Sequence, residues 1–77
     1  MIDFELYRIF VEVAKERNIT KASEKLNVSQ PAITKQIKNL EEQLSMKLLE
    51  RNSKGVELTL EGKKLYEKIR NPIEELN

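Results

Sequence analysis

The sequence predicts one small, mainly α-helical domain that carries a single short β-hairpin. Most apolar residues recur at helical spacing, and only the segment 48–58 has the composition of two strands around a turn. A chain of 77 residues can form only a thin core. Cysteine and histidine are absent, which excludes disulfides and the usual zinc sites. A partner chain is therefore the remaining source of extra stability.

Composition excludes several function classes. Charged residues make up 35% of the chain, but the net charge is only +1, so overall charge does not favour nucleic acid. No apolar run approaches the ~20 residues of a membrane span, and the N-terminus lacks a signal-peptide pattern. We therefore expect a cytoplasmic protein without membrane attachment. The chain has no cysteine or histidine for catalysis and no glycine-rich phosphate loop, so we expect neither enzymatic activity nor a cofactor or metal.

The first helix is predicted from about Asp3, its N-cap, to Arg17. Two adjacent apolar stripes cover more than half of its surface, although a helix packed on one side needs only ~100°. We therefore expect it to be covered from two directions, either within one core or by a later helix or a second subunit. The stripes are Leu6, Ile9, Phe10 and Val13, and Phe4, Tyr7, Val11 and Ala14.

The next two helices are predicted to be joined by a tight turn. Thr20 is the expected N-cap of a short second helix, and Asn27 suits a left-handed position in the turn. Ser29 is the expected N-cap of a third helix over about 30–44, with Pro31 in its first turn. The buried face of the third helix comprises Ile33, Ile37, Leu40 and Leu44.

The remaining sequence predicts a hairpin and a last helix. The turn residues 52–55 separate two short strands, and Thr59 begins the helix. We expect Pro72 to kink or interrupt that helix near Asn71. The chain is thus divided into a domain over 1–58 and a last helix over 59–77. Four apolar residues of this last helix have the 3-4-3 spacing typical of a coiled-coil seam: Tyr66, Ile69, Ile73 and Leu76.

This order of elements is that of a winged helix-turn-helix. The second helix of such a pair fits the major groove of DNA, where Gln30, Pro31, Thr34 and Lys35 could reach base edges. The segment between residues 20 and 40 is basic: it contains four lysines, at positions 21, 25, 35 and 38, and a single acidic residue, Glu24. The predicted contacts to the DNA backbone are Thr20, Ser29, Lys38, Arg51 and Lys54, with Lys54 at the hairpin tip best placed for a minor groove. The alternatives are that the two hydroxyls only cap helices and that the lysines form a solvated surface.

The segment SQPAITKQI at 29–37, followed by LEEQL at 40–44, is similar to the DNA-binding domain of LysR-type transcriptional regulators. The segments at 10–14, 49–51 and 59–62 agree, so the resemblance spans nearly the whole chain. Ser23, Ser45, Leu49 and Lys35 depart from residues common in that family. The last departure matters most, because lysine lacks the planar fork that arginine offers guanine.

The resemblance implies a specific function. It implies sequence-specific binding of double-stranded DNA, with helix 30–44 in the major groove and the wing, residues 52–55, at the minor groove. The last helix would link and pair two subunits, so that a homodimer binds a dyad promoter site, with higher oligomers open for a full-length protein. A small-molecule effector would act only through a C-terminal domain absent here, so we expect a piece of a longer regulator, with a freestanding domain as the alternative. The predicted dimerisation residues are Phe4, Tyr7, Val11, Leu65, Tyr66, Ile69, Ile73 and Leu76.

A second hypothesis is a winged helix used for protein interaction. It is favoured by the near-neutral net charge and by the apolar excess on the first and last helices. Dimerisation explains the same apolar stripes, so we prefer the DNA-binding interpretation.

Overall fold

Four helices and one antiparallel hairpin make up the described part of the chain. The structure is a computed structural model that describes the backbone of residues 3–76 and the side chains of residues 3–70. The mainly helical prediction with one hairpin is confirmed, and the third helix has the predicted bounds. The elements are α1 (Phe4–Glu16), α2 (Ile19–Leu26), α3 (Gln30–Leu44), β1 (Leu49–Asn52), β2 (Gly55–Leu58) and α4 (Leu60–Leu76).

Side-chain caps start the helices. The predicted caps Asp3, Ser29 and Thr59 are confirmed, each accepting a backbone N–H from the first turn at 3.0–3.2 Å. The prediction that Thr20 caps α2 is wrong. Asn18 is the cap, because its backbone is extended (φ −155°, ψ 118°) and its Oδ1 accepts the Lys21 N–H at 2.9 Å. Thr20 therefore lies inside the first turn, and its hydroxyl has no capping role.

Helix α1 is the centre of the core. It packs against α2, α3, α4 and β2, and half-buried residues of α4 join the same apolar cluster. The prediction that α1 is covered from two directions is confirmed, with α4 as one of the covering elements. The buried residues of α1 are Leu6, Ile9, Phe10, Val11, Val13 and Ala14.

One predicted dimer contact is corrected by this packing. Val11 is only 3% exposed and belongs to the core cluster, so its side chain has no surface to offer a second chain. In the same apolar stripe, Phe4 is 46% exposed and Tyr7 is half-buried. The N-terminal residues of this stripe, Phe4 and Tyr7, are therefore accessible to solvent, while Val11 and Ala14 belong to the buried part of α1.

The hairpin is held against the helices by backbone groups. Its strands pair from Leu49 with Leu58 to Asn52 with Gly55, so the hairpin forms as predicted, but its loop is two residues long, 53–54, where a turn over 52–55 was expected. The Val56 N–H donates to the Arg17 carbonyl oxygen at 3.2 Å. Gly55 has φ +136°, and a Cβ there would lie 2.7 Å from the same oxygen, so this close approach requires glycine.

Glu41 attaches the start of β1 to α3. Its Oε2 accepts the backbone N–H of Leu48 at 2.7 Å and that of Leu49 at 3.2 Å. From the sequence alone, Glu41 is an ordinary charged residue of the third helix, outside its predicted buried face. Its structural role is to satisfy two backbone donors that enter the strand.

Helix α4 begins in direct contact with the segment before β1. The Thr59 N–H donates to the Leu48 carbonyl oxygen at 3.0 Å, and a Cβ at Gly62 would lie 2.2 Å from that oxygen. The helical backbone continues through Pro72 to Leu76, so of the two outcomes expected near Asn71, a kink or an interruption, the interruption is wrong. Proline removes one backbone donor, and the turns on both sides stay helical. The side chains of Ile73 and Leu76 lie outside the described residues.

No helix in the range that the structure describes has both the length and the apolar character needed to traverse a bilayer.

The contact at Gly62 generates a prediction. We expect Gly62→Ala to lower the free energy of unfolding by about 1–3 kcal/mol, because the added Cβ meets a backbone oxygen. Helix propensity alone would favour alanine by about 1 kcal/mol, so the sign of the change is diagnostic. Urea denaturation measures it, with Lys64→Ala on the exposed side of α4 as the control. Equal or higher stability of Gly62→Ala would contradict the close approach.

Candidate nucleic-acid interface

The exposed face at the start of α3 follows from the way the helix is buried. Ile33, Ile37 and Leu40 pack into the core. On the outer arc, Gln30, Pro31, Lys35 and Lys38 are exposed, and Thr34 is half-buried. Because the N-terminal end of a helix carries positive partial charge, this arc is suited to an anionic partner.

Elements on both sides of α3 widen this face into an open, shallow groove. The structure thus brings together six of the nine predicted DNA contacts, while Thr20, Ser29 and Lys54 are exposed outside the groove lining. The residues that line it are Ile19, Ser23, Gln30, Pro31, Thr34, Lys35, Lys38, Asn39, Glu42 and Arg51.

Two residues of α2 line the groove that sequence reasoning did not assign to it. Ile19 and Ser23 are both half-buried beside the outer arc of α3. Their spacing of four residues places them on the same side of α2, and that spacing is the signal that could have found them. Ser23 therefore adds a hydroxyl to the groove.

Ser29 and Lys54, which lie outside the groove lining, differ in their local contacts. Ser29 Oγ accepts the Ala32 N–H at 3.2 Å, and its hydroxyl proton is still available for donation. Lys54 is exposed in the two-residue loop, where its backbone N–H donates to Asn52 Oδ1 at 2.9 Å. The loop is therefore locally ordered, while the lysine side chain extends from its tip.

Arg51 connects the hairpin to α3. Its Nη2 donates to Thr34 Oγ1 at 2.5 Å, across 17 positions of sequence. The sequence predicted Arg51 as a contact to the DNA backbone and Thr34 as a contact to base edges, but not the contact between them. A guanidinium has five N–H donors, so this bond leaves others free for a phosphate.

One of the four lysines between residues 20 and 40 forms an ion pair with α1 and does not line the groove. Lys25 Nζ lies 2.7 Å from Glu16 Oε2 on α1. The hydrogen bond from Lys25 lowers the pKa of Glu16, and the same bond raises the pKa of Lys25. Lys21, Lys35 and Lys38 are exposed, so they are the lysines of this segment that can serve a nucleic acid.

The groove offers hydrogen-bond donors, two methyl-bearing side chains and positive charge. These are the groups that recognise base edges and phosphates. Among the residues that the structure describes, no cluster of three or more potential ligands could hold a metal ion.

The chain matches a known family over most of its length. A family model described as bacterial regulatory helix-turn-helix protein, lysR family, matches residues 4–63. Among curated relatives, a probable cat1 operon transcriptional activator from Acinetobacter lwoffii is 46% identical over 66 residues, which is 86% of this chain. The transcriptional regulator BenM from Acinetobacter baylyi is 48% identical over 60 residues, or 78% of this chain. The chain spans only 22% and 20% of these two relatives.

Solved structures share the fold. The DNA-binding domain of BenM in complex with catB site 1 DNA has a TM-score of 0.90 and 39% identity, covering 97% of this chain and 83% of that one. The DNA-binding domain of CbnR in complex with DNA has a TM-score of 0.88 and 39% identity, covering 97% and 86%. The winged helix-turn-helix prediction is therefore confirmed.

The Glu16–Lys25 pair generates a pH prediction. Because the folded-state pKa of Glu16 lies below its usual 4.5, the pair stabilises the fold above that value. The stabilisation is lost as the pH falls through the lowered pKa. We expect Glu16→Gln to be less stable than the wild type at neutral pH and to converge with it in acid, as measured by urea denaturation across pH. In a Lys25→Gln background the pH-dependent difference should shrink, because the largest cause of the lowered Glu16 pKa is removed. An undiminished difference there would contradict the pairing.

Proposed function

The chain belongs to the lysR family of bacterial regulatory helix-turn-helix proteins, and we propose that it binds specific double-stranded DNA as the N-terminal domain of a transcription regulator. It carries the helix-turn-helix DNA-binding domain of that family. The observation that carries the proposal is the open groove at the start of α3, which gathers hydrogen-bonding side chains and cations.

In the proposed complex, the first turns of α3 enter the major groove. Gln30 pairs with an adenine through its amide, while Pro31 and the Thr34 methyl group contact a thymine methyl. Lys35 reaches a guanine or a phosphate as a point charge. The exposed acid Glu42 also lines the groove further along α3, which limits the contact to the N-terminal half of the helix.

Contacts to the DNA backbone set the orientation of the domain. Thr20, Ser29, Lys38 and Arg51 are proposed to contact phosphates around the major groove. Lys54 projects from the wing toward the adjacent minor groove, whose negative potential attracts cations. The exposure of all five side chains supports this assignment.

Two copies are proposed to act together on an interrupted dyad. Residues 59–77 would link and pair the subunits, while residues 1–58 bind DNA. Two-fold symmetry places the half-sites about one helical turn, or a multiple of it, apart. The exposed Phe4 and four half-buried residues with apolar surface support a contact here: Tyr7, Leu65, Tyr66 and Ile69.

The wider setting follows from the family. Because the chain spans about a fifth of the two named relatives, an effector-sensing domain and higher oligomers belong to the proposal for a longer protein. We place the regulator in the cytoplasm, where bacterial promoters lie. DNA binding by these 77 residues requires no metal or cofactor.

The DNA-binding proposal is tested through its salt dependence. We expect Lys38→Ala to weaken binding to all duplexes and to reduce the slope of log K against log salt concentration by about one unit, because one phosphate contact is lost. Fluorescence anisotropy measures this on a duplex that the wild-type chain selects from a randomised pool. Lys64→Ala on α4 is the matched control. Absence of salt-dependent binding by the wild type would overturn the proposal in favour of protein interaction.

Dimerisation is tested separately by sedimentation equilibrium at micromolar concentration. We expect the wild type to form dimers and Phe4→Ser to shift the equilibrium toward monomer, because it removes apolar surface from the contact. The matched control is Leu60→Ser, since Leu60 is 64% exposed at the start of α4 but lies outside the proposed contact. A wild type that is only monomeric would contradict the proposed assembly.

A further inference from the structure

We infer that Arg51 is a positioning residue for sequence readout: it holds the side chain of Thr34 in one rotamer and so determines which group Thr34 presents to the base edge. The inference rests on the proposed function. Its basis is the hydrogen bond from Arg51 Nη2 to Thr34 Oγ1 at 2.5 Å. The readout of one base pair then depends on a residue of the hairpin that does not touch that pair.

Threonine is the residue type for which such a contact has consequences. On a helix its side chain divides between two χ1 rotamers, which place the hydroxyl and the methyl group differently. Only the methyl group makes an apolar contact with the thymine methyl. A partner that fixes Oγ1 therefore fixes the methyl group as well.

Both ends of the contact are anchored before DNA arrives. Arg51 pairs across the hairpin with Val56, which is 6% exposed and whose N–H is bound by Arg17. On the other side, Thr34 adjoins Ile33, which is fully buried. The relative position of the two side chains is therefore set by the core, and the bond preorganises the reading surface.

The chemistry of the donor is specific to arginine. A guanidinium makes a directional, charge-assisted hydrogen bond to Thr34 and keeps further N–H donors for a phosphate. Lysine at this position retains the charge but presents a mobile ammonium group. Substitution by lysine thus separates the positioning role from the simple attraction of a cation to DNA.

The experiment compares four forms of the 77-residue chain: wild type, Arg51→Lys, Thr34→Val and the double variant. Each is titrated by fluorescence anisotropy against the duplex selected by the wild type and against duplexes with one base pair exchanged. We expect the wild type to discriminate about tenfold at the thymine read by Thr34, and Arg51→Lys to lose most of that ratio. In the Thr34→Val background, where a methyl group faces the base in either rotamer, Arg51→Lys should leave the ratio unchanged.

Two further measurements separate this role from its alternatives. Lys38→Gln should weaken all duplexes by the same factor and keep the discrimination ratio. In the free chain, vicinal NMR couplings of Thr34 should report one χ1 rotamer for the wild type and averaging for Arg51→Lys.

The outcomes are distinct. Uniform weakening of all duplexes by Arg51→Lys, with Thr34 couplings unchanged, would overturn the inference and leave Arg51 as a phosphate contact only. Averaged Thr34 couplings in a wild type that binds DNA would also overturn it. Failure of the wild type to select any duplex would overturn the proposed function itself, while the couplings of the free chain still report on the bond.

Discussion

The burial of α1 on more than one side is the constraint on which the other elements depend. Phe10 and Val13 are fully buried, and the helix packs against α2, α3, α4 and β2. The orientation of α3 is set by this packing, and the hairpin is attached to the C-cap residue Arg17. The surfaces proposed to meet DNA are therefore positioned by a helix that itself contributes none of the proposed DNA contacts.

Features that depend on neighbouring residues could be predicted from the sequence. Helix α3 has the predicted bounds because its Ser29 cap and apolar spacing are local signals. The hairpin was predictable for the same reason, although Asn52 and Gly55, expected in the turn, pair with each other as strand residues. The cap of α2 was not, since Asn18 and Thr20 are both cap-forming residues two positions apart. The extended backbone of Asn18 decides between them, and that conformation depends on how α1 ends at Arg17.

Features that depend on the angle between α3 and the hairpin could not be predicted. Glu41 and Arg51 are, by composition, ordinary surface charges. Their bonds to Leu48, Leu49 and Thr34 join residues 7, 8 and 17 positions apart. The sequence thus indicated which residues of α3 are exposed, but not that the hairpin segment is bonded to that helix at two points, Thr34 and Glu41, two turns apart on the same side.

The hairpin region has two parts that differ in how far the fold constrains them. The frame comprises the surroundings of the two glycines, Gly55 and Gly62, and the tip comprises Ser53 and Lys54. Gly55 and Gly62 each face a carbonyl oxygen at a distance that excludes a side chain. Ser53 and Lys54 between the strands are exposed, so the fold places little demand on their identity. If the tip meets DNA as proposed, substitutions in the frame would act on folding and substitutions at the tip on target preference. Such a domain could therefore exchange the residues proposed for the minor groove by single substitutions without losing its fold.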